Sequence, residues 1–254
     1  MPNNLLKRVT TAAFVTGSAA STFFFSGNPQ RRNRTEVFKA QQRIFDKNLI
    51  MPANATFALI WPVIYSGTVA LAIHQALPSQ RDNPRYQNAR PWLWACYVLN
   101  AVFAYYFSRS DRKGRIGGGI TTMVTLPFAV SLHRALEIGR TTVAQPERTF
   151  RTAISLYTGW VTIASVISGA NILLDSGVHP SEQASARWAV AALPATTLLG
   201  LSVARRLNDP YYALAVGAGL IGIAAKQTRR HTAVATVAAG GVLSIVAWAT
   251  RRLP

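Results

Sequence analysis

Phe57, Trp61 and Tyr65 stand four residues apart, and Tyr157, Trp160 and Ala164 follow at spacings of three and four. On an α-helix both sets fall on a single face. Flat aromatic faces of this kind can stack on a flat, largely apolar molecule. Asn100 lies near the middle of an uncharged stretch that also carries Tyr97, Phe103, Tyr105, Tyr106 and Phe107. A mid-span amide is costly unless it is paired or faces a cavity. With the Tyr65 and Tyr157 hydroxyls, Asn100 can supply hydrogen bonds to a ligand held by the rings. Interfacial belting and helix packing draw on the same residue types, because Trp and Tyr concentrate at membrane surfaces. Trp61 and Trp160 sit several residues inside their stretches, which favours the pocket over the belt.

Other reactive chemistry is sparse. His74, His133, His179 and His231 are scattered, with no metal-ligand spacing among them. No metal site and no catalytic residue is assigned. Cys96 is the single cysteine, so a disulfide scaffold is excluded. It has no local histidine or acid and reads as a packing residue. Gly117–Gly118–Gly119 does not match a phosphate-binding loop. Asn33–Arg34–Thr35 and Asn54–Ala55–Thr56 are weak glycosylation matches.

The elements that must position these residues follow from the charges. Only 14% of the 254 residues are charged, and 27 Lys and Arg against 9 Asp and Glu leave +18. Typical soluble chains carry about 25% charged residues. Every carboxylate falls in a gap between uncharged runs at 9–25, 55–77, 92–108, 116–133, 153–174, 188–204, 211–225 and 232–250. A spanning helix needs roughly 20 apolar residues, and a soluble helix would show charge on its exposed face every few residues. The chain is therefore all-α, a polytopic transmembrane bundle of seven or eight spans. The run 211–225 is short and must borrow its ends.

The basic surplus belongs to loops that meet anionic headgroups. Nucleic acid is not a partner, since no basic stripe is interleaved with exposed aromatics. With eight spans, thirteen basic residues fall on one side and fourteen on the other, so charge does not orient the chain. Residues 9–25, after Lys7–Arg8, read as a further span or as a targeting segment. No span contains an internal carboxylate, which disfavours a proton-coupled carrier. Ala215, Ala218, Gly219 and Gly222 share a face, suited either to close helix approach or to plain small-residue filler.

Three of these segments, taken in order, resemble the TspO/MBR family of tryptophan-rich sensory proteins and translocator proteins. Its pattern F-x-x-[VI]-W-x-x-[LI]-Y is matched by Phe57, Ile60, Trp61, Ile64 and Tyr65, with Pro52 upstream. Its L-N-x-x-W-[SA]-x-x-F is matched by Leu99, Asn100 and Phe107, with Phe103 where Trp is usual. Its [LP]-Y-x-x-W-[VI]-x-x-A is matched by Tyr157, Trp160, Val161 and Ala164, with Ser168 in place of a following asparagine. The chain looks like a divergent member of the longer multi-helix subgroup, which the run AIHQALPSQRDNPR also resembles.

The resemblance implies a five-helix core over 48–175, preceded by a weakly apolar helix and basic loop at 1–47 and followed by three helices over 176–254. It implies a binding protein or sensor for a tetrapyrrole such as a porphyrin, with no required cofactor, often homodimeric, in a bacterial-type cell membrane or an organellar one. The alternative is a carrier of a hydrophobic or anionic metabolite. An enzyme acting on a porphyrin and a purely structural assembly subunit are the remaining readings. By motif position the ligand-binding set is Pro52, Phe57, Trp61, Tyr65, Asn100, Tyr157, Trp160 and Ala164.

Overall fold

In the computed structural model the described residues are 2–27, 39 and 41–253. They form eight long helices and no strand. These are α1 (Pro2–Gly27), α2 (Asn54–His74), α3 (Pro84–Phe107), α4 (Arg112–Ala135), α5 (Glu147–Asp175), α6 (Glu182–Leu207), α7 (Pro210–Gln227) and α8 (Thr232–Ala249). Much of the basic loop predicted between α1 and α2 lies outside the described residues.

The helices begin where local chemistry tells them to. Asn83, Asp111, Ser181 and Asp209 each accept a backbone N–H from the first turn they precede, which satisfies donors the helix itself leaves free. Hydrogen bonds from Arg109 hold the exposed Asp111 carboxyl down at about 2, so this cap is ionised at any ordinary pH. The helices run past the uncharged stretches. α5 begins six residues before 153 and α3 eight residues before 92, because charged residues can occupy helix ends as well as loops. Pro62, Pro91, Pro127 and Pro194 stay inside helices, as membrane helices tolerate.

Five helices, α2, α4, α5, α6 and α8, are long and apolar enough to cross a bilayer. α1 and α3 have the length but carry polar ends, and α7, whose run looked short, is as long as α8 but less apolar. Leu59, Leu198 and Leu243 are more than 60% exposed, an apolar outer surface that suits lipid rather than water. The protein is an integral membrane helical bundle.

α5 is the axis. It packs on α2, α4, α6 and α7, while α1 lies on α2 and α3, and α8 on α6 and α7. Small residues set the close crossings, as expected where packing rather than water exclusion drives association. A Cβ at Gly67 of α2 would lie 2.3 Å from Ala153 Cβ of α5. One at Gly219 of α7 would lie 2.5 Å from Ile163 of α5. The small-residue face of α7 is thus a contact face and not filler. Residues 48–175 hold four long helices, α2 to α5. That is one helix fewer than the five expected there, and α1 packs on α2 and α3, so residues 9–25 are part of the bundle.

Candidate functional site

α2 and α5 bring the two predicted aromatic sets together. The Trp61 and Trp160 rings meet edge to face with centroids 6.4 Å apart, and Phe57 meets Trp160 edge-on at 5.3 Å. Trp61 stacks on Tyr65 at 5.0 Å, as side chains one helical turn apart can. The result is a continuous aromatic wall from Phe57 to Tyr65 on α2, closed from behind by Trp160, which is 1% exposed.

The amide is paired, as its depth demands. Tyr65 Oη donates to Asn100 Oδ1 at 3.2 Å, and Asn100 Nδ2 donates to Thr22 Oγ1 at 3.0 Å. Ser18 of α1 donates to the Tyr97 carbonyl of α3 at 3.1 Å. A polar chain therefore crosses α2, α3 and α1 beside the aromatic wall. Tyr157 and Cys96 are both buried in the same core. Cys96 is a free thiol fully buried in that core, as a packing residue is.

Two members of the predicted set sit at the margin. Pro52 packs under α7, where a Cβ at Gly222 would lie 2.8 Å from it, and the neighbouring Ala53 N–H donates to the Gly222 carbonyl at 3.0 Å. Ala164 lies one turn beyond Trp160 on α5 and is half-buried. Of the wall's polar atoms, Trp160 Nε1 alone is buried with no hydrogen-bond partner among the described residues.

Sequence reasoning missed Thr22, because it falls in the least apolar run, and nothing local marks it as the partner of Asn100. It also missed Asn171. That amide lies one turn beyond Ser168, the place where the family pattern expects asparagine, and it accepts from Asn48 Nδ2 at 2.8 Å. Asn48 in turn accepts from the Ile50 N–H, which ties the approach to α2 onto α5.

Other polar groups lie away from the wall. Buried His133 Nε2 and Asp209 Oδ2 are 2.7 Å apart, linking the end of α4 to the start of α7. Among the described residues no three His, Cys, Asp or Glu side chains gather as metal ligands would. A cavity of about 390 Å³ lies at the opposite end of α2 and shares no lining residue with the aromatic wall.

A family model described as TSPO-like protein matches residues 8–251, so the helices after Asp175 lie inside the match together with α1. No curated protein and no solved structure matches the chain. The aromatic wall on α2 and α5, the amide on α3 and the match over nearly the whole chain converge, and the chain belongs to the TSPO-like protein family.

Proposed function

We propose that this protein binds a flat, largely apolar ligand against the α2–α5 aromatic wall, and that the ligand is a tetrapyrrole of the porphyrin type. The observation that carries the reading is the Trp160 N–H. It is buried beside Phe57 and Trp61 with no acceptor among the described residues. A buried donor left unpaired costs about 1–3 kcal/mol. A ligand that stacks on the wall and presents an oxygen to Nε1 recovers that cost. Trp61 and Tyr65 supply the stacking faces, and Asn100 holds the Tyr65 hydroxyl in place. Family membership supports a membrane binding or sensing role in general terms. The tetrapyrrole is the narrower choice, made because its flat ring matches the wall and its carboxylates are acceptors.

The test is a titration of the detergent-solubilised protein with protoporphyrin IX, followed by tryptophan quenching and by the porphyrin absorption band. Saturable micromolar binding is expected. Trp61→Ala and Asn100→Ala should each weaken it by about tenfold or more, equivalent to about 1.4 kcal/mol. Equal affinity in both variants would remove the assigned wall. Absence of saturable binding by folded protein would remove the tetrapyrrole and leave a metabolite carrier, to be sought by uptake into reconstituted vesicles.

A further inference from the structure

Arg8, in the second turn of α1, is a buried cation, 4% exposed. Among the described residues its side chain makes one hydrogen bond, from Nη1 to the Leu77 carbonyl at 2.8 Å, and pairs with no carboxylate. Its Nε is buried without a partner there, while Nη2 is neither bonded nor buried and so reaches the surface. A guanidinium taken out of water without a counter-charge is costly.

The contacts of α1 with α3 bring a second cation beside it. Trp94 Nε1 donates to Thr11 Oγ1 at 2.8 Å, and the Trp94 ring stacks on Phe14 with centroids 4.0 Å apart. Further along, Ser18 meets the Tyr97 carbonyl and Thr22 meets Asn100. The two helices therefore run in the same direction, and one turn before Thr11 and Trp94 stand Arg8 and Arg90. Arg90 is half-buried, and its guanidinium is repelled by the charge of Arg8. Gln75, two residues before the Leu77 carbonyl and fully buried, keeps a buried Nε2 with no partner among the described residues.

The described carboxylates at this end of the bundle are engaged elsewhere. Both Glu147 oxygens hold Arg85, Asp209 meets His133, Glu137 accepts from Thr141, and exposed Asp82 lies 4.0 Å from Arg81. The two arginines also stand at one membrane surface. Arg8 immediately precedes the uncharged run 9–25, Leu77 closes 55–77, and Arg90 stands two residues before 92–108. Leu5 and Val9 on α1, with Ile73 and Leu77 at the end of α2, are exposed apolar side chains, a surface suited to acyl chains. The planar guanidinium fork matches the oxygens of a phosphate.

From a buried arginine without a counter-ion, a second arginine beside it and an apolar rim at headgroup depth, we infer a binding site for one anionic phospholipid at the α1–α2–α3 end of the bundle. The headgroup phosphate sits against Arg8 and Arg90, and the acyl chains run along the exposed Leu5, Val9 and Ile73. A free phosphate offers the same charge but makes no use of the rim, so the lipid is the better occupant.

Native mass spectrometry of the detergent-solubilised full chain tests this, with phosphatidylglycerol, phosphatidylcholine and inorganic phosphate in separate arms. Phosphatidylglycerol should saturate one site and bind about tenfold more tightly than the zwitterionic phosphatidylcholine. Arg8→Gln should weaken phosphatidylglycerol binding by about tenfold, the size of a lost charge-assisted hydrogen bond. Lys7→Gln, at the exposed neighbour, should leave it unchanged. The thermal midpoint separates a lipid site from a mere tie to the Leu77 carbonyl. Phosphatidylglycerol should raise the midpoint of the unmodified protein and leave that of Arg8→Gln where it stands. Arg90→Gln is the second variant and should weaken binding in the same direction should Arg8→Gln not fold. Equal affinity for the two lipids, saturation by inorganic phosphate alone, or equal losses in Lys7→Gln and Arg8→Gln overturns the site. Protoporphyrin binding at the aromatic wall is unaffected by these variants, so the two assignments fail separately.

Discussion

Trp160 carries two jobs that pull against each other. Its ring is the largest fully buried side chain of α5 and packs on Phe57 and Trp61, yet its N–H has no partner among the described residues. Nearby polar groups behave otherwise, since the Tyr65–Asn100–Thr22 chain is paired throughout. A group left unpaired amid paired neighbours is the place to look for a ligand. Trp160→Phe keeps an aromatic ring and deletes the donor. Porphyrin affinity should fall about tenfold, the loss expected of one hydrogen bond to a charged group, while the thermal midpoint of the free protein moves little. Thermal unfolding in detergent and the titration together check this. A large drop in midpoint with unchanged affinity would make the residue structural only.

At the scale of helices, small residues decide who touches whom. Gly159 of α5 faces α7 so closely that a Cβ there would lie 2.2 Å from the Tyr212 carbonyl oxygen. Gly169, ten residues further along the same helix, has nothing within 4 Å of its would-be Cβ. Gly159→Ala should therefore force α5 and α7 apart and destabilise by about 1–3 kcal/mol, the usual cost of overpacking. Gly169→Ala should be neutral or stabilise by up to about 1 kcal/mol through helix propensity. Unfolding of the two variants side by side is the measurement, and equal midpoints would mean that the α5–α7 crossing is looser than described. The spacing of small residues on α7 was legible in the sequence. Their partners, Ile163 of α5 for Gly219 and Thr56 of α2 for Gly222, were not, because spacing names a face and not what lies opposite.

For the whole molecule, the helices after Asp175 serve the core rather than stand beside it. α7 packs on α5 and α2, Thr162 of α5 and Tyr212 of α7 share a hydrogen bond at 2.7 Å, and His133 meets Asp209 at 2.7 Å. Gln227 Nε2 also donates to the Leu49 carbonyl at 2.9 Å, in the approach to α2. A chain ending at Asp175 should lose porphyrin binding and unfold or aggregate, because it would bare the Gly159 and Ile163 face of α5. Size-exclusion chromatography and helicity of the truncated protein test this, and a monodisperse helical product that still binds would show the core to be autonomous.

The amino-acid sequence by itself determined the class of protein: helical, spanning, with loops at the charged gaps. Burying a charge in lipid is so costly that the charges alone mark where spans stop. It also determined that the two aromatic sets each occupy one helix face, since the helical repeat is a local property. The family pattern added the order of the motifs. Only the tertiary structure decided that Phe57 and Trp61 meet Trp160, that Asn100 is held by Thr22 of α1, and that a cavity forms between the α2–α3 connection and the start of α5. Those contacts join residues tens of positions apart. Helix packing sets them, and no periodicity within a single helix encodes which neighbour it meets.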